Sequence, residues 1–155
     1  MMNILKKINP LIPKTASNDY HGYKIAQYIF IPLIVLTIVR SCIHLLAQDG
    51  GAVSIASLDV SGPAGQNVIS IFSQWGLSQL LMGVVYAIVY IRYKNLISIC
   101  YLFLIIEYVG RMMVGLAKPM VTVFTPPGAF LNYIMVPISI CMLILSLMIP
   151  KNLRE

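Results

Sequence analysis

LISICYLFLIIEYVGRMMVGL, residues 96–116, runs for 21 residues with Glu107 and Arg111 as its only charges. As a helix rising about 1.5 Å per residue it reaches roughly 30 Å, the thickness of a bilayer's hydrocarbon core. An ionisable residue at that depth costs about 2.5–3.5 kcal/mol on insertion scales, and for that reason usually faces the interior of a bundle. Glu107 and Arg111 are four apart. They therefore share one helix face, with the glutamate N-terminal, the favourable order for an in-helix ion pair. The stretch predicts a membrane-spanning helix whose polar face is turned toward other helices.

Three more apolar runs of similar length, 25–46, 68–91 and 127–149, flank it. All are continuous and lack the alternation of barrel strands, so the fold class is all-α, a four-span transmembrane helix bundle. Of 155 residues 59% are hydrophobic and 10% charged, a composition that excludes an ordinary soluble domain. The expected organisation is a tail over 1–24, the four-helix transmembrane domain over 25–149 and a short tail over 150–155. The first run is longer than the roughly 7–15 residues of a signal-peptide core. Ala47-Gln48-Asp49 after it is also a poor cleavage site, so the run reads as a retained span.

The basic residues set the expected orientation. Lys6, Lys7, Lys14 and Lys24 precede the first span, Arg92 and Lys94 lie between the second and third, and Lys151 and Arg154 follow the fourth. Only Lys118 lies outside the spans on the other side. Under the positive-inside rule both termini belong in the cytoplasm. The formal charge of +6 is thus a topology signal, and a nucleic-acid partner is not expected. The expected location is a bacterial inner, cytoplasmic membrane.

Between the spans, 47–67 is the longest connection, with Asp49-Gly50-Gly51 at one end and Gly62-Pro63-Ala64-Gly65 at the other. Its centre, 53–60, reads as a short interfacial helix or a cap, and the whole as a lid or a plain connector. The tight link at 92–95 predicts an antiparallel hairpin of the second and third spans. Pro32 and Pro137 fall inside spans, where each removes a backbone hydrogen bond. Cys42, Cys100 and Cys141 sit in different spans without close spacing and read as packing thiols.

Each span has one stripe stepping by three or four residues, as an inward face does. The stripes are Leu33, Thr37, Arg40, His44; Phe72, Gly76, Gln79, Gly83, Tyr86, Tyr90; Cys100, Leu104, Glu107, Arg111; and Asn132, Met135, Ser139, Met142, Ser146. Gly76 and Gly83 invite close helix approach. Arg40 and Arg111 lie on the order of 8–9 Å inside their outer span ends. Gln74, Ser78, Gln79, Asn132 and Tyr133 come early in spans that start on that side. The expectation is a pocket in the outer half of the bundle, formed by Arg40, His44, Gln74, Gln79, Glu107, Arg111 and Asn132, as a ligand-binding or ion-pair network.

Two arginines and a histidine face one glutamate there, so a cation lacks a partner unless Asp49 or Asp59 folds inward. A spare guanidinium points to an anionic or carbonyl-bearing ligand: a membrane lipid head, a quinone or a small acid. The competing reading is structural, with the charges acting as glue between helices or toward membrane-protein partners. His44 and Glu107 are too few ligands for zinc, so no metal is expected. A proton relay through the same pair meets an aliphatic inner half. No nucleophile–base pair is recognisable, no catalytic residue is assigned, and neither is a cofactor.

Gly76-x-x-Gln79-Leu80, Arg92-Tyr93, Glu107-Tyr108-x-x-Arg111 and Gly115-x-x-Lys118-Pro119 together resemble the small DoxX-like four-helix membrane proteins. The resemblance spans 76–119, less than a third of the chain. It implies a four-helix bundle in a family with quinone-linked redox subunits, and it supplies no catalytic residues.

Overall fold

A computed structural model describes residues 9–150, and every regular element among them is helical. Helix α1 spans Lys24–Leu46 and α2 spans Gly65–Arg92; a single 3-10 turn, Lys94–Leu96, leads into α3, Ile97–Ala117, and α4 spans Pro127–Leu147. Each of the four is long and apolar enough to cross a membrane. Their bounds fall within a few residues of the hydrophobic runs, because a helix stops where its apolar run meets turn-forming residues. Lys6, Lys7, Lys151 and Arg154, four of the basic residues that set the expected orientation, lie outside the described residues.

Backbones approach most closely between α1 and α2 and between α3 and α4. The first pair rests on glycine. A Cβ at Gly76 would fall 2.6 Å from the Cβ of His44, and one at Gly83 would fall 2.8 Å from Cγ1 of Ile38. Helices α2 and α3, the hairpin partners expected from the tight link, meet by backbone mainly around the 3-10 turn. Farther along they are bridged by side chains. Pro32 and Pro137 are accommodated inside α1 and α4.

The half of the bundle nearest the 3-10 turn is closed by aromatic rings. Phe30 packs against Tyr86 and Tyr101 with ring centroids 5.6 and 5.3 Å away. Tyr101 donates its hydroxyl to the Ala26 carbonyl at 2.6 Å, and the hydroxyls of Ser98 and Ser146 pair at 2.9 Å between α3 and α4. All the inward stripes contribute: Leu33, Tyr86, Cys100, Leu104, Ser139 and Ser146 are buried. Outward-facing residues such as Val35, Leu81, Phe103 and Ile144 are exposed and apolar, which suits hydrocarbon as the surrounding solvent.

Residues 9–23 form a strap across this end. Asn95 receives the Ser17 amide at Oδ1 (3.0 Å), donates Nδ2 to the Thr15 carbonyl (2.8 Å), and donates its own amide to the Ser17 carbonyl (3.3 Å). The Asn9 and Tyr23 amides donate to the carbonyls of Leu147 and Leu145. Tyr20, within this strap, is pushed to a higher pKa by burial.

At the opposite end, the centre of the long connection is not the short helix that was one of the two forms expected over 53–60. Residues 47–56 form a bend and successive turns, and 57–60 have no regular structure, with a positive φ at Ser57. Asp49 explains the turns, since its carboxylate accepts the Gly51 amide at 3.0 Å and the Ser54 amide at 2.7 Å. Those bonds offer the backbone an alternative to the helix. They also hold the Asp49 carboxyl down at about pKa 2. Gly50 and Gly51 supply the positive φ the reversal needs.

Candidate functional site: a guanidinium group on Trp75

Depth along the spans does bring polar side chains together near the long-connection end, but azimuth decides which of them. The cleft there lies between α1, α2 and α3 and is lined by Leu36, Thr37, Arg40, Ser41, His44, Trp75, Gln79, Glu107, Tyr108 and Arg111. Five of the seven expected residues are present: Arg40, His44, Gln79, Glu107 and Arg111. Gln74 and Asn132 are not. Gln74 is exposed and bonds Ser70 on its own helix. Five residues at about 100° each put it roughly 140° around α2 from Gln79. Asn132 is half-buried on α4, which packs through Ser139 and Ser146 rather than its first turns.

Arg111 is paired through Nη2. It donates Nη2 to Glu107 on its own helix and to Gln79 Oε1 across to α2, the latter at 3.0 Å. Its guanidinium also lies over the rings of Trp75 (5.2 Å) and Tyr108 (5.5 Å). Arg40 lies over the same Trp75 ring at 5.0 Å. Among the described residues Arg40 makes no hydrogen bond or ion pair. The two carboxylates that could have folded in are occupied elsewhere. Asp49 is tied to Gly51 and Ser54 of its own turn. Asp59 is exposed and accepts from the Ser61 amide and hydroxyl, which lowers its pKa.

His44 forms the wall beside Arg40. Its ring is 2% exposed and packs against Trp75 and Phe72, with centroids 4.8 and 5.8 Å away. Nδ1 lies 2.8 Å from the Gly50 carbonyl. Because a carbonyl only accepts, Nδ1 carries the proton, and in the neutral ring Nε2 presents a lone pair. Nε2 is buried and has no hydrogen-bond partner among the described residues. A Cβ at Gly51 would fall 2.7 Å from Nδ1, so the glycine turn is seated directly on the imidazole. The Thr37 and Ser41 hydroxyls are turned back to the carbonyls of Leu33 and Thr37.

Trp75 was not singled out in the sequence, where an indole in an apolar run reads as packing. Its one sequence signal is its place four residues before Gln79 and adjacent to Gly76, on the face where α1 comes closest. The free space inside the cleft is about 10 Å³, room for about one water oxygen. A larger cavity of about 220 Å³ lies at the other end, beneath the strap, lined by Asn9, Tyr20, Asn95, Ser98 and Ser146 among others. No group of three metal-ligating side chains occurs among the described residues. No protein-family model, curated protein or solved structure matches the chain.

Proposed function

We propose that the chain is a small multi-pass protein of a bacterial cytoplasmic membrane, with both termini inside, that binds an anionic or carbonyl-bearing head at the guanidinium group. The ligand is a small molecule, lipid or quinone, and the role is that of a redox or lipid-handling accessory rather than an enzyme acting alone. One observation carries the reading: Arg40 is held on Trp75 beside an already paired Arg111, with no carboxylate of its own. Arginine is the side chain suited to bidentate recognition of carboxylate or phosphate, and a weakly hydrated guanidinium on an indole is set for it. The DoxX-like resemblance, on the motif that contains Glu107 and Arg111, is compatible with a quinone-linked partner.

The second reading is a structural or assembly subunit of a larger membrane complex. It draws on the exposed polar row Ser70, Gln74 and Ser78 on α2, which would otherwise face lipid. Polar side chains on an outward helix face are common glue between membrane helices. Native mass spectrometry of gently purified protein separates the two. A stoichiometric small molecule, lost in Arg40→Gln, supports binding, and tightly held protein chains in its place refute it. Reporter fusions at Asp59 and at the C-terminus test the topology, with opposite compartments expected.

A further inference from the structure

Arg40 and His44 lie one turn apart on α1, both line one cleft, and each leaves a valence unmet. Arg40 offers N–H donors without an acceptor, and His44 offers a buried Nε2 lone pair without a donor. No donor among the described residues reaches that nitrogen. The charges lining the cleft are Arg40, Arg111 and Glu107. With the ring neutral they sum to +1. The free space in the cleft admits about one oxygen atom. A ligand that answers all four features is an anion which keeps a hydroxyl: its hydroxyl oxygen takes that space and, with a small shift of the imidazole, donates to Nε2, while its charged oxygens rest on Arg40.

The geometry points to a proton-retaining oxyanion of the phosphomonoester class as the ligand, with His44 reading its P–OH. This rests on the anion-binding reading above and adds selectivity to it. Sulfate and phosphodiesters carry the charge without the proton, and so meet Arg40 but leave Nε2 unanswered. Carboxylates ionised at neutral pH fail in the same way. A neutral quinol supplies the hydroxyl but not the charge. The phosphomonoester's second proton leaves near pH 6, so its protonated form is accessible around neutrality. Because the cleft lies near helix ends, the same chemistry can come from free phosphate or from a lipid with a phosphomonoester head.

Trp75 is the chain's single tryptophan, so its fluorescence reports on this cleft alone. The full chain in detergent is titrated at neutral pH with inorganic phosphate or with sulfate at matched ionic strength. In parallel, phosphatidylcholine discs are doped with phosphatidate or with phosphatidylmethanol, a phosphodiester lacking a hydroxyl. A hydrogen bond to a charged group predicts at least about a tenfold preference for the monoester in whichever arm responds, and that arm identifies the source.

His44→Asn sharpens the test. Its amide nitrogen sits where Nδ1 sits and can still reach the Gly50 carbonyl, but nothing replaces Nε2. Loss of the preference in His44→Asn, with sulfate binding retained, is the expected result. Equal binding of phosphate and sulfate by the native chain, abolished in Arg40→Gln, overturns the hydroxyl readout and leaves the anion site standing. A preference that survives in His44→Asn also overturns it. No response to any anion, free or lipid-borne, overturns both.

Discussion

The two halves of the bundle solve the same packing problem in opposite ways. Near the 3-10 turn, Phe30, Tyr86 and Tyr101 fill the space between helices, and the Tyr101 hydroxyl and the Ser98–Ser146 pair find partners at once. Near the long connection the filling is charged, and two groups, Arg40 and His44 Nε2, end without a partner. Buried polar groups left unmatched are expensive in low dielectric. The division is not complete, since the buried Ser139 hydroxyl on α4 also lacks a partner among the described residues, but Arg40 and His44 Nε2 lie at the long-connection end, where the proposed binding site is. The contrast assigns stability mainly to the aromatic half.

The sharpest attack on that contrast is Tyr101→Ala. Emptying a fully buried ring site should cost about 3–5 kcal/mol in chemical unfolding from mixed micelles. Tyr101→Phe, which removes only the bond to the Ala26 carbonyl, should cost about 1 kcal/mol. Equal losses would mean the hydroxyl and not the ring closes this half. Next in size is Glu107→Gln, which leaves Arg111 in the cleft with Gln79 as its neutral partner. The pair is about one-fifth exposed, so solvent screens part of the charge. A loss of about 1–3 kcal/mol is expected, against less than about 0.5 for exposed Lys118→Gln. If the two variants melt alike, the charged end contributes nothing to the fold.

Smaller still is Trp75→Leu, which removes the ring beneath both guanidiniums. Each contact is worth about 0.5–1 kcal/mol at a partly exposed site, and the same assay should resolve the pair. The smallest effect is acid-dependent. Asp49 has its pKa depressed from the ordinary 3.8 to about 2 by the Ser54 and Gly51 amides. Its contribution is therefore complete above about pH 4 and is lost as pH falls through 2. Amide shifts of Gly51 and Ser54 should titrate with a midpoint near 2, and a midpoint near 3.8 would show that the turn is not organised by that carboxylate.

The spans were legible because hydrocarbon enforces length and polarity together, and the inward faces were legible because Gly76 and Gly83 mark where a backbone must approach. The ion pair followed from four-residue spacing alone. Depth was legible too, which is why Gln74 and Asn132 were grouped with Arg40. Their azimuth was not, since helix rotation is set by neighbours that only the assembled bundle supplies. Trp75 escaped for a related reason. An indole serves as filler or as a platform according to what lies over it, and Arg40 and Arg111 arrive from other helices. The aromatic closure by Tyr101 and the strap on Asn95 are likewise contacts between distant segments with no local signature.

That strap has a bearing on the order of events during synthesis. Thr15 and Ser17 leave the ribosome 80 and 78 residues ahead of the asparagine that receives them. Until Asn95 is made and α2 is inserted, residues 9–23 have no docking surface of their own, and their last amide bonds, to Leu145 and Leu147, must wait for α4. A segment made before all four spans is thus fastened only after the last of them, so its resistance to protease records that the whole bundle has closed.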